Sequence, residues 1–233
     1  RTRARRRCRR TPSARCALPS PASSAALRCE VSSPVTARPD HSPKPLRVLV
    51  LGGTRSGKSA YAESVAQSCS SSLERGRVRY VATGRRDPND ADWQDRIDAH
   101  RRRRPHAWET TEIFESLPAT LSAGADVTIV DDLGTWLTGI IDDRDAWTLP
   151  RGTVVPEGDA LVDAVVRCTG TVLLVSPEVG WGVIPSTRSG RLFQDEMGSL
   201  NGRLAAVCDR VVLVVAGLPL MLKDTREQAG PTR

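Results

Sequence analysis

Residues 52–59 read GGTRSGKS and follow directly on the apolar run Arg47-Val-Leu-Val-Leu51. This is the G-x-x-x-x-G-K-[ST] spacing in the setting that gives it meaning: a buried strand, a glycine loop, then a helix. A chain that carries it must bring a strand end, a tight loop and a helix N-terminus together, which selects an α/β layer architecture. Gly52, Gly53 and Gly57 let backbone N–H groups curl round phosphate oxygens that larger residues would block, with Thr54, Arg55 and Ser56 completing the loop. Lys58 offers a point charge to the β- and γ-phosphates, and the Ser59 hydroxyl can ligate Mg2+. The helix expected over residues 58–67 points its positive end at the same anion. The motif predicts binding of a nucleoside triphosphate; alone it does not say what happens to that nucleotide.

Further strand-like runs lie at 47–51, 78–82, 127–131, 171–176 and 211–216. Several are apolar on both faces, as parallel strands covered from both sides must be. Helical segments are expected at 91–103, 133–141, 158–167 and 188–207, with a short added strand at 107–111. Residues 142–157 carry Pro150, Gly152 and Pro156 and read as a loop. The alternation predicts an α/β, P-loop NTPase-like open sheet, mostly parallel, with helices on both faces. One domain of residues 46–223 and a flexible end at 224–233 account for the folded part. In such a sheet ligands sit at the carboxyl ends of the strands, so the phosphate loop, Ala82-Thr83-Gly84, Asp131-Asp132 and the segment from Ser176 to Gly180 should line one crevice.

The net charge of +7 suggests nucleic acid until it is located. Residues 1–45 hold eleven Lys+Arg and two Asp+Glu, a net of +9, which leaves −2 for the remainder. The basic signal thus belongs to a tail rich in Arg, Ser, Pro and Ala, expected to be disordered. It could be a transit peptide, a nucleic-acid-binding arm, or upstream sequence read through a misplaced start. The last is preferred, since the chain opens with Arg rather than Met, and the tail is then dispensable. Nucleic acid is not an expected partner of the folded part. No apolar stretch reaches the roughly 18–20 residues that span a bilayer. The six Cys (8, 16, 29, 69, 168 and 208) form no C-x-x-C pair, which points to reduced thiols and a cytoplasmic location.

Asp131 closes the apolar run 127–130, where an acid is the usual second Mg2+ anchor of phosphate-loop proteins. Strand alternation sends its neighbour Asp132 to the other face. The plainer alternative is that both cap the next helix. The segment Asp95-Arg-Ile-Asp-Ala-His-Arg-Arg-Arg-Arg-Pro105 is the second informative stretch. Trp93, Ile97, His100 and Arg104 share a helical face. A nucleophilic His must be neutral to attack, and the arginines after it favour that form while offering charge to a phosphoryl group. A solvated basic face with an incidental His is an equal reading.

Further motifs stand in order along the chain: Tyr80-Val-Ala-Thr83, Arg96-Ile-x-x-His100-Arg-x-x-Arg104-Pro105, Trp108-x-Thr-x-Glu112, Asp131, Glu178-Val-Gly-x-Gly-x-x-Pro185, Asn201-x-Arg-Leu204 and Val-Val-Ala-Gly217. With the phosphate loop, they resemble the bifunctional adenosylcobinamide kinase / adenosylcobinamide-phosphate guanylyltransferase family of cobalamin biosynthesis, over residues 48–223. The resemblance implies two reactions: phosphorylation of adenosylcobinamide with ATP or GTP, then transfer of GMP from GTP through a guanylyl-histidine to give adenosylcobinamide-GDP. The matching histidine is His100; His106 falls outside the motif position and His41 lies in the tail. Lys58 is the second implied catalytic residue. Implied nucleotide contacts are residues 52–59, Ala82, Thr83, Gly84, Arg101, Arg102, Arg103, Arg104, Glu112 and Asp131, with Ser59 and Asp131 on Mg2+. Family members resemble trimers, which implies a homo-oligomer. The departures are Thr54, where Ala is common, and a long Arg run. The loop 178–184 could wall the corrinoid site, contact another subunit, or be an ordinary loop around a buried Trp. Two other functions fit the motifs less fully: a small-molecule kinase without nucleotidyl transfer, and a nucleotide-switched binding protein.

Overall fold

The strand β1 (Arg47–Gly52) explains the layering. Val48 and Val50 are buried in one layer and Leu49 and Leu51 in the other, so both of its faces need cover. In this computed structural model that cover comes from helices on both sides of a seven-stranded sheet. Residues 45–73, 76–85, 90–112 and 116–226 are described, apart from the side chains of Trp93 and Arg96. The basic tail lies outside them.

In chain order the elements after β1 are α1 (Lys58–Ser71), β2 (Val78–Ala82), α2 (Ala91–Arg103), β3 (Glu109–Glu112), α3 (Leu117–Ser122), β4 (Val127–Asp131), α4 (Leu133–Asp143), α5 (Val155–Arg167), β5 (Thr171–Pro177), α6 (Arg188–Val207), β6 (Arg210–Val215) and β7 (Leu218–Asp224). The sheet order is β3-β2-β4-β5-β1-β6-β7, parallel throughout except for β7 against β6. The expected open, mostly parallel sheet is therefore present.

The two faces are covered differently. On one, α1 packs through Ala62 and Ala66 against Val48, Val50, Ile129 and Val175, and the small side chains let the helix come close. On the other, Leu121 of α3, Leu137 of α4, Leu161 of α5 and Leu200 of α6 close over Leu49, Val130 and Leu174. Each fully buried aliphatic side chain contributes about 1.5–3 kcal/mol relative to exposure, which is the main force holding the layers.

Three segments depart from expectation. The stretch 142–157 is not one loop: α4 runs to Asp143, a 3-10 turn spans Ala146–Thr148, and α5 starts at Val155. Pro156 is tolerated there because it occupies the first turn, where its missing N–H has no intrahelical partner to lose. The short helix α3 was not anticipated. Nor was β7, which returns along β6 through Ala216 and Gly217, both at positive φ (50° and 81°), the backbone a two-residue hairpin requires. Its polar end is pinned by Asp224 accepting from Arg210 Nε at 2.7 Å, and by Lys223 Nζ donating to the carbonyls of Ala205 and Ala206 at 2.9 and 3.0 Å.

The junction of β5 with α6 sets the strand end beside the phosphate loop. Buried Ser176 donates to Asn201 Oδ1 at 2.5 Å, and Asn201 Nδ2 donates to the Pro177 carbonyl at 3.1 Å. Asn201→Ala strands both groups and should lower unfolding free energy by roughly 1–3 kcal/mol. Urea titration should show a lower midpoint with an unchanged m-value; an unmoved midpoint refutes this role.

Candidate active site

The phosphate loop is shaped by contacts from two neighbouring strand ends. Glu178 N–H donates to the Gly52 carbonyl at 3.1 Å, and Gly217 N–H donates to the Ser56 carbonyl at 2.8 Å. The turn between β6 and β7 thus braces the loop from behind. A Cβ on Gly52 would lie 2.8 Å from the Val214 carbonyl oxygen, and one on Gly57 3.1 Å from Gly217 Cα. Gly57 also has φ +96° and opens α1. The first turn of α1 contains no acid, so its positive end is left to an incoming anion. Lys58 is buried and donates to the Gly53 carbonyl at 3.4 Å, which holds its ammonium over the loop.

Sheet register places Glu112, Ala82 and Asp131 in one row across β3, β2 and β4. These three line a cleft with Lys58, Ser59, Gly84, His100, Arg101 and Arg104. A second cavity shares Lys58, Ser59 and His100 with the first, and adds Arg55, Ser56, Gly57 and Arg103. His100 therefore stands between the two, against the helix that carries the lysine. Gly52, Gly53 and Thr54 belong to the same loop but line neither space.

Asp131 is the meeting point. Its side chain is only 8 % exposed. Ser59 Oγ donates to its Oδ1 at 3.2 Å, Tyr80 Oη donates to its Oδ2, and His100 Nδ1 lies 3.6 Å from the same Oδ2. Burial alone pushes the carboxyl up, but the His100, Tyr80 and Ser59 contacts together outweigh burial and hold it below the usual carboxylate range. Asp132 does not go to the far side as alternation suggested. It faces the same cleft and caps α4, accepting from Thr135 N–H at 2.9 Å. Strand pairing ends at Asp131, and Asp132, its backbone still extended at φ −130° and ψ 163°, takes the cap position of α4. Burial, and next the Asp131 charge, push the Asp132 carboxyl up.

The Arg run divides. Arg101 and Arg104 line the cleft with His100 and Ile97. Arg103 lines the second cavity and pairs with Glu63 of α1 at 3.3 Å. Arg102 is exposed and lines neither. Thr83 ties strand ends together instead of facing the cleft: its Oγ1 donates to the Asp132 carbonyl at 2.6 Å and its N–H to the Asp131 carbonyl at 3.2 Å. His106 is exposed and outside both spaces, and His41 lies outside the described residues. In the loop 178–184, Trp181 is 75 % exposed, which removes the reading of a loop around a buried Trp. Tyr80 and Gly217 stand within the sequence motifs, but a tyrosine in an apolar strand and a turn glycine carry no chemical signal there.

The donor set suits Mg2+. Ser59 Oγ and Asp131 Oδ1 are adjacent hard oxygens at the loop mouth, and this ion takes few protein ligands beside water and phosphate. Among the described residues no cluster of three or more His, Cys, Asp or Glu forms a closed metal cage. The described cysteines, Cys69, Cys168 and Cys208, are free thiols; burial pushes Cys208 up to about 12.

A parallel sheet, a glycine cradle ahead of α1 and an acid at a neighbouring strand end define a P-loop NTPase-like nucleotide-binding protein. The family model described as cobinamide kinase / cobinamide phosphate guanyltransferase matches residues 48–222, and the chain belongs to that family. It is 39 % identical over 182 residues to the bifunctional adenosylcobalamin biosynthesis protein CobP of Pseudomonas aeruginosa, covering 76 % of this chain and 98 % of that one. It is 33 % identical over 189 residues to the bifunctional adenosylcobalamin biosynthesis protein CobU of Escherichia coli, and 32 % to that of Salmonella typhimurium, covering 76 % of this chain and all of each relative.

Gly52→Ala should weaken nucleotide binding about tenfold or more, or roughly 1.4 kcal/mol, because the added methyl meets backbone that cannot give way. Titration calorimetry with a non-hydrolysable triphosphate checks this, and an unchanged Kd overturns it.

Proposed function

We propose that this enzyme carries out both reactions of its family: it phosphorylates adenosylcobinamide with ATP or GTP, then transfers GMP from GTP to the product through a guanylyl-histidine. The observation that carries the second half is the placement of His100, which opens on the same cradle as Lys58 and has Nδ1 turned towards Asp131. A proton held on Nδ1 by that carboxylate leaves the Nε2 lone pair for attack.

In the kinase step, the hydroxyl of the cobinamide arm attacks the γ-phosphorus, the bond to the β-phosphate oxygen breaks, and the hydroxyl proton is lost. Lys58 and the α1 N-terminus hold the phosphates in line. In the transfer step, His100 Nε2 attacks the α-phosphorus of GTP, an N–P bond forms, and pyrophosphate departs with the electrons of the broken P–O bond. The phosphate oxygen of cobinamide phosphate then attacks the same phosphorus, and the N–P bond breaks to regenerate histidine. Arg101 and Arg104 lie where they can offset charge on the phosphoryl oxygens. Ser59 and Asp131 Oδ1 would hold Mg2+, which would supply positive charge to offset that of the phosphates. Arg103 contributes as the tether to Glu63, and Arg102 is not assigned a contact.

We also assign a homo-oligomer, with a trimer as the family resemblance implies. The support is β7, an edge strand exposing Leu218, Leu220, Met221 and Leu222, a pattern that needs cover. We further propose a cytoplasmic location; among the described residues no helix is long and apolar enough to cross a membrane.

GTP labelled in the α-phosphate should leave an acid-labile, base-stable label on the protein. His100→Ala should abolish it, and equal labelling of the variant removes His100 as nucleophile. Asp131→Asn should weaken Mg2+-dependent turnover in both halves. Leu220→Lys should lower the mass seen by sedimentation velocity; a parent chain that sediments as a monomer ends the oligomer assignment.

A further inference from the structure

Tyr80 sits in β2, one residue pair away from the cleft, and is fully buried. Its ring is packed as core residues are, with Trp108 stacked at 6.5 Å between centroids. For that task a phenylalanine would serve as well. The hydroxyl is therefore the part that needs a reason, since a buried O–H must find an acceptor. It has found Asp131 Oδ2, the oxygen that also faces His100 Nδ1. The Arg104 guanidinium lies over the ring, 3.5 Å from its centroid.

We infer that Tyr80 is a positioning residue: by occupying Oδ2, its hydroxyl fixes the rotation of the Asp131 carboxylate, so that Oδ1 faces Ser59 and Oδ2 is shared with the imidazole. A carboxylate has two equivalent oxygens and turns about its last bond. Ser59 holds one oxygen at 3.2 Å and His100 stands 3.6 Å from the other, both longer than an ideal charged contact. Tyr80 is anchored by the sheet on both sides, pairing with Thr110 and Ile129, so its hydroxyl is the rigid member of the set. This assignment rests on the proposed role of Asp131 and extends it to a residue that touches no substrate.

Tyr80→Phe removes the hydroxyl, keeps the ring under Arg104 and fills the same space. It should lower kcat of both transfers about 10–100-fold, the usual effect of removing a group that orients a ligand-bearing side chain. The nucleotide Kd should stay unchanged, because the cradle is backbone and Lys58. In an Asp131→Asn background the same change should cost nothing further; equal losses in both backgrounds overturn the inference. A second readout needs no turnover. The chain has two tyrosines, Tyr61 and Tyr80, so 3-fluorotyrosine labelling gives two fluorine resonances, assigned with Tyr61→Phe. Asp131→Asn should move the Tyr80 resonance and leave that of Tyr61 in place. A Tyr80 resonance blind to Asp131 defeats the inference even if Tyr80→Phe does not fold. An Asp131→Asn enzyme with unimpaired transfers fails differently: it takes down the proposed role of Asp131, and this one with it.

Discussion

A carboxylate held almost out of solvent at the end of a central strand is a charge that must be paired, or it would shift to its neutral form. Asp131 is paired from three directions: Ser59 on α1, Tyr80 on β2 and His100 on α2. The pairing joins the phosphate loop, the sheet and the basic helix at one atom group. It matters most for α2, which has no buried residue among its described side chains. A helix of such high polar content is held less by core packing than by its polar contacts. At its C-terminal end His100 faces Asp131 and Arg103 pairs with Glu63, and just past it Arg104 lies over Tyr80. The carboxylate that orients the site also helps to station the helix that bears its histidine.

The cradle is set by a different means. Its hydrogen bonds run to neighbouring strand ends, Gly52 to Glu178 and Ser56 to Gly217, and two of its glycines, Gly52 and Gly57, sit where backbone crowds backbone. Such a loop is already arranged before a nucleotide arrives, so little binding energy is spent on ordering it. The hairpin of β6 and β7 thus serves two ends. Its turn props the loop, and its far strand carries an apolar edge that the described fold leaves uncovered.

What the sequence disclosed follows from what each segment is built against. The strands β1, β2, β4, β5 and β6 are buried on both faces, so their apolar runs are nearly unbroken and their positions were read closely. The α2 and α6 bounds agree with expectation because their sequences change character sharply at each end. β7 was missed for the opposite reason: Leu218 to Leu222 have no partner layer in the described chain, and Pro219 interrupts the pattern. α3, six residues long, offers too few turns to show a period. Pro150, Gly152 and Pro156 looked like breakers, although the first turn of a helix accepts the last of them. In the site, the phosphate loop, His100 and Asp131 declared themselves by residue type and spacing. Tyr80 could not, because a tyrosine in a buried strand looks like core until its hydroxyl is seen to meet a carboxylate.

The four consecutive arginines show how a helix turns one sequence signal into several functions. Successive side chains are set about 100° apart, so a run cannot face one way. Arg101 and Arg104, three apart, fall on the side of Ile97 and His100, while Arg103 turns to Glu63 and Arg102 to solvent. The cleft then has Lys58, Arg101 and Arg104 round it, set against Asp131, Asp132 and Glu112 at the strand ends. Three cations facing three carboxylates do not make a general anion trap. Phosphate oxygens are welcome on the side of the loop and of α2, and are repelled from the strand ends unless a cation lies between. That polarity fits a nucleotide carried together with a divalent ion.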